Sequence, residues 1–118
     1  TNTLSLHDAL PILVQQYPDS LKEKDNQEKL PLHYACENNA PPQVLEFMVQ
    51  QYPDSVKEKD KDDLLPLHYA CDKDAPLQVL EFLVQQYPDS IKKKGKWGKL
   101  PLHCACEKKA PLVLKFLV

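Results

Sequence analysis

Gln-Gln-Tyr-Pro-Asp-Ser stands at residues 15–20, again at 50–55 and again at 85–90. Leu-Pro-Leu-His follows at 30–33, 65–68 and 100–103, so both strings recur on the 35-residue step that separates Tyr17, Tyr52 and Tyr87. A fixed period of this size marks stacked supersecondary units, each too small to bury its own apolar face. The repeat therefore predicts a solenoid and argues against an enzyme.

Residues 19–53 show how one unit is built. Pro18-Asp19-Ser20 reads as a turn. The stretch from Leu21 to Lys29 is too charged to be buried. Pro31 then opens a helix, at a position where a missing N–H costs nothing. Leu32, Ala35 and Cys36 share one face of that helix, and Asn38-Asn39 stops it, since asparagine tolerates the left-handed conformation of a C-cap. Ala40-Pro41-Pro42 starts a second helix. Val44, Leu45, Met48 and Val49 are its apolar stripe, and Gln50 and Gln51 fall outside it. Tyr52-Pro53 ends it, because the residue before proline resists the α conformation. Each unit is loop, short helix, turn, longer helix.

Pro31-Leu32-His33-Tyr34-Ala35-Cys36, with copies at 66–71 and 101–106, resembles the Thr-Pro-Leu-His-x-Ala-Ala core of the ankyrin repeat. Val44-Leu45-Glu46-Phe47-Met48-Val49 resembles the Val-Val-x-Leu-Leu-Leu of its second helix. Asp25, Asp60 and Gly98 match the acidic residue and glycine of the family's hairpin finger, each in some repeats only. The resemblance covers residues 13–118 and implies an all-α, ankyrin-type solenoid of helix-turn-helix repeats with hairpin-like loops. Leu30, Leu65 and Leu100 stand where the family has threonine, so its threonine–histidine hydrogen bond is lost. Tyr-Pro at 52–53 and 87–88 replaces Gly-Ala. In the last unit, Pro111-Leu112-Val113-Leu114-Lys115 is one residue shorter than Pro76 to Glu81, which makes the C-terminal helix the least regular.

Outside this frame lie both ends. Thr3 to Ile12 does not fit the repeat and resembles one translated frame of a sequencing-library adapter. Residues 1–12 are therefore expected to be a non-native artefact, the alternative being a polar N-terminal cap. The array then divides into the end of a partial repeat at 13–18, full repeats at 19–53 and 54–88, and a truncated one at 89–118. Val118 falls mid-helix, so the chain reads as a fragment of a longer array, and residues 13–118 alone are expected to aggregate or melt at low temperature.

The net charge of −2 hides a gradient. Residues 19–53 carry −3 and residues 54–88 carry −4, whereas residues 89–118 carry eight lysines against two acids, or +6. No apolar run approaches the ~20 residues of a membrane helix. Cys36, Cys71 and Cys106 occupy one slot in successive repeats, and stacked helices sit ~8–10 Å apart, beyond the ~7 Å Cα limit of a disulfide. Reduced thiols imply the cytoplasm or nucleus.

The pairs His33/Cys36 and His68/Cys71 and the trio His103, Cys104, Cys106 resemble zinc ligands, but each pair offers two where a structural site wants four. The expected roles are a hydrogen-bonding spacer for histidine and a small buried hydrophobe for cysteine, so neither metal nor cofactor is expected. Ser20, Ser55 and Ser90 are three interchangeable copies in Pro-Asp-Ser turns, and their role is turn chemistry rather than catalysis. With only Gly95 and Gly98 there is no phosphate-cradling loop, and no catalytic residue is expected.

Comparison of the copies separates framework from variable surface. Variation falls at Asn26, Lys61 and Lys96; at Gln27, Asp62 and Trp97; at Lys29, Leu64 and Lys99; and, at the end of the first helix, at Asn38, Lys73 and Lys108. In the architecture this chain resembles, those positions line one concave face. The resemblance thus implies a protein–protein interaction module. Leu64 and Trp97, apolar in an otherwise charged finger row, are the anchor candidates. Lys92 to Lys99 suits an acidic protein segment, and the acidic neighbouring repeats argue against nucleic acid. A second class is compatible with every residue: the regulatory arm of an enzyme whose catalytic domain lies elsewhere. A structural spacer is the third.

Overall fold

The structure is a computed structural model that describes residues 6–107, with side chains from residue 9 onward. Six α-helices follow in order: α1 (Leu6–Gln16), α2 (Pro31–Glu37), α3 (Pro42–Gln51), α4 (Pro66–Asp72), α5 (Leu77–Gln86) and α6 (Pro101–Glu107). Among the described residues there is no strand. The segment expected to form the least regular helix, from Pro111 onward, and the candidate Lys108 lie outside the described residues.

Local chemistry sets the helix ends as expected. Leu30 and Leu65 are extended, and the prolines that follow supply the first helical residue. At the far end Asn39 and Asp74 are left-handed, both at φ 55. Ala40 N–H then reaches Ala35 O at 2.9 Å and Asn39 N–H reaches Cys36 O at 3.3 Å, closing a Schellman motif that the second unit repeats. The second helices end at Tyr52 and Tyr87, each before proline.

α2, α4 and α6 stack as one row, and α3 and α5 as a second that α1 precedes. The first row packs more closely than the second. Val44, Leu45, Met48, Val49, Val79, Leu80 and Leu83 fill the core between the rows. α1 runs unbroken from Leu6 through Pro11 to Gln16, and Leu10 and Val14, one turn apart, are buried in the same core.

Two expectations need correction. The Pro-Asp-Ser segments are five-residue 3-10 helices at Pro18–Lys22, Pro53–Lys57 and Pro88–Lys92. The serine hydroxyls do not supply turn chemistry, because those of Ser55 and Ser90 are buried without a hydrogen-bond partner. Backbone bonds form the turn instead, with Ser55 N–H on Tyr52 O at 3.1 Å. Serine is used here for its small size. Ser55→Ala is therefore expected to stabilise the protein by roughly 0.5–1 kcal/mol, read as a higher Tm, because it removes a buried polar group that bonds nothing. The charged stretch is also not uniformly exposed: Asp60 is buried, and Lys29 is largely covered.

Candidate functional site

Histidine joins one repeat to the next. Leu30 N–H donates to His33 Nδ1 at 2.9 Å, so the ring proton resides on Nε2. That Nε2–H faces two carbonyls of the following repeat, Glu58 O at 3.0 Å and Leu64 O at 3.1 Å. His68 repeats the pattern, taking the Leu65 N–H and facing Lys93 O and Lys99 O. With leucine at positions 30 and 65, the ring is held by a backbone donor, and the spacer role expected of histidine is the one found. Buried Leu30 and Leu65 seal the joint.

Burial pushes the pKa of both rings below the ordinary histidine value, against smaller opposing effects from the Asp60 carboxylate and the backbone bonds. The folded state therefore holds neutral histidine more strongly than the unfolded chain does. Stability is complete above the unfolded pKa of ~6.5 and falls as pH drops below it, because the unfolded chain binds protons first. Thermal melts at pH 7.5 and pH 5 should show a lower Tm at pH 5, with a smaller difference in a His33→Gln variant.

Cys36, Cys71 and Cys104 are buried free thiols and Cys106 is an exposed one. Burial pushes the Cys36 and Cys71 thiols up to about 12, so both keep their protons and act as small hydrophobes.

The fingers precede each first helix. In the first, Asp25 N–H bonds Lys29 O at 3.0 Å and Glu28 N–H bonds Asp25 O at 2.9 Å, with Glu28 left-handed at φ 59. The Asp25 carboxylate accepts from Gln27 N–H and Lys29 N–H, while its second oxygen takes the Tyr34 hydroxyl. Asp60 does the same with Asp62 N–H, Leu64 N–H and the Tyr69 hydroxyl. Neighbouring fingers are tied by Lys61 N–H on Gln27 O at 2.9 Å. Lys24 also reaches Glu58 at 3.1 Å, and Lys96 reaches Asp62 at 3.8 Å.

Eleven of the twelve positions singled out in the sequence fall among the described residues and divide in this frame. Asn26, Gln27, Lys61, Lys96 and Trp97 stand exposed along the finger tips, with Asp62 half-buried beside them. Trp97 is 81 % exposed, and Lys96 lies over its ring at 5.5 Å. Asn38 and Lys73 are exposed at the ends of α2 and α4. Lys29, Leu64 and Lys99 share a slot that faces inward. Lys29 sits over the Tyr34 and Tyr69 rings at 4.9 and 5.0 Å and pairs with Glu37; Lys99 pairs with Glu107; and Leu64 packs against the core. The aspartate–tyrosine pairs were missed in the sequence. Their signal was present: aspartate and tyrosine recur nine residues apart in two units and are both absent from the third.

Stack and fingers together define a repeat scaffold, a constant helical core that carries variable loops along one edge. The chain belongs to the ankyrin-repeat family: a family model described as ankyrin repeats (3 copies) matches residues 5–94 and 32–118. Such repeats are generally protein–protein interaction modules. No curated protein matches the chain.

Proposed function

We propose that this protein is an interaction module that binds another protein through its finger tips and the first-helix side of the array. One observation carries the reading. Asn26, Gln27, Lys61, Lys96 and Trp97, which differ between copies, stand open along the finger tips, while Lys29, Asp60 and Leu64 are turned into the array. Chemically diverse side chains on a constant frame are what recognition requires. The partner surface is acidic where it meets Lys92 to Lys99, a run of five lysines without an acid. The array itself contributes no catalytic residue. Protonated, buried Cys36 and Cys71 suit a reducing compartment, the cytoplasm or nucleus. No helix of the described residues is long and apolar enough to cross a membrane.

A photocrosslinking amino acid placed singly at Gln27, Lys61 or Glu81, in cells that make the protein, tests this. The two finger positions should yield one common adduct, and Glu81, exposed on α5, should yield none of it. Adducts formed equally from Glu81, or none from the fingers, would refute the assignment.

A further inference from the structure

The joint between the second and third fingers is built differently from the one before it. At the first joint Lys29 lies over two tyrosine rings, and Asp60 takes the Tyr69 hydroxyl. One step along, Leu64 stands in the slot of Lys29, Gly95 in that of Asp60 and Cys104 in that of Tyr69. A cation, an anion and an aromatic have been exchanged together for apolar or small residues. The exchange is geometrically linked, because a Cβ on Gly95 would lie 2.4 Å from Leu64 Cδ2. Aspartate cannot return to that slot while Leu64 occupies its present place.

What remains is a hollow of about 180 Å³ walled by Leu64, Tyr69, Trp97 and Cys104. That volume is below the ~300–1,000 Å³ of small-molecule sites and suits a single side chain. Lys96 and Lys99 stand at its rim, and exposed Lys92 and Lys94 lie beside them in sequence. The acids that also border it, Asp72 and Glu107, are paired with Lys73 at 3.9 Å and with Lys99.

Trp97 adds an independent observation. Its φ of 66 places a bulky residue in the left-handed region, which the corresponding Gln27 and Asp62 do not enter. Such strain at an exposed aromatic, with no burial to compensate it, points toward use in binding.

We propose that this hollow is an anchor pocket that receives one aromatic or large aliphatic side chain from an acidic partner segment. The walls remove the side chain from water, the Trp97 ring covers it, and carboxylates on either side of it meet the lysines of the third finger. Tryptophan and a desolvated pocket are the usual centre of an interaction surface. The inference rests on the interaction-module reading and assigns the partner's chemistry.

Random peptides displayed on phage and selected against the full chain test it. Selected peptides are expected to share one Phe, Trp, Leu, Ile or Met flanked by Asp or Glu. Because Trp97 is the chain's only tryptophan, binding should shift its fluorescence. Calorimetry should show affinity falling about tenfold or more in Trp97→Ala. The same loss is expected in a triple variant, Leu64→Lys with Gly95→Asp and Cys104→Tyr, which rebuilds the first joint and closes the hollow. Trp97→Ala alters an exposed side chain and keeps the test decisive if the triple variant fails to fold. Peptides that bind both variants undiminished would overturn the pocket and leave the interaction module standing. Selection of no peptide, with Trp97 quenched by a single-stranded dT oligonucleotide, would overturn both.

Discussion

His68→Ala is expected to destabilise the protein by about 3 kcal/mol, whereas His103→Ala, in the same Leu-Pro-Leu-His string, should cost about 1 kcal/mol or less. His68 is 1 % exposed and holds three backbone groups, the Leu65 N–H and the Lys93 and Lys99 carbonyls. Alanine leaves the Leu65 N–H and the Lys93 carbonyl without a partner in a cavity that cannot fully collapse, while the Lys99 carbonyl keeps the Gly95 N–H at 2.7 Å; each orphaned group costs ~1–3 kcal/mol. Among the described residues His103 is exposed and keeps a cap bond from Leu100 N–H at 2.9 Å. Urea unfolding of both variants checks the contrast, and equal losses would contradict the joint role. A second consequence concerns cooperativity. Stability in a repeat array is a sum of units and nearest-neighbour interfaces, so weakening the joint at His68 should let the third unit unfold first. A biphasic transition in His68→Ala, beside a single transition in the parent, is the expected result.

Asp60→Ala should cost roughly 2–3 kcal/mol, the next largest effect. Asp60 is 4 % exposed, and its carboxylate accepts Asp62 N–H at 2.9 Å, Leu64 N–H at 3.0 Å and the Tyr69 hydroxyl. Bonds to a charged acceptor contribute more than neutral ones, and the finger loses its internal tie when the acceptor is removed. A double-mutant cycle with Tyr69→Phe isolates the side-chain pair, and a coupling near zero would mean that the backbone bonds carry the whole effect. Asp25→Ala should cost less, since Asp25 and Tyr34 make the same contacts in the open. The loss in Asp60→Ala should extend to Trp97, because Lys96 of the third finger leans on Asp62 of the second.

Much of this architecture is legible in the sequence. Short-range chemistry sets helix starts at Pro31 and Pro66 and stops at Asn39 and Asp74, and the internal repeat confirms each reading by offering it more than once. The apolar stripe of α3 follows from its spacing alone, with Val44, Leu45, Met48 and Val49 all buried. The finger row was legible as a variable surface, but its third slot was not legible as an inward one. Lys29 looks like a surface lysine by type. It is largely covered because its stem lies between two tyrosines, one of them contributed by the next repeat. The serines misled for a related reason. Pro-Asp-Ser is a common turn string, and nothing local reveals that the Ser55 and Ser90 hydroxyls are enclosed by neighbouring elements.

By itself, the sequence determined the period, the two helices of each unit, their caps and the apolar faces that must meet. These depend on spacing along the chain and on the conformational preferences of single residues, and both are local properties. Only the tertiary structure decided which copy of a repeated residue is enclosed. His33, His68 and His103 share one string, yet two are buried and the third is exposed. Asp25 and Asp60 make the same bonds, one in the open and one buried. Burial belongs to the neighbour as much as to the residue. In a stacked array that neighbour lies one full repeat away, where the spacing within a unit carries no information about it.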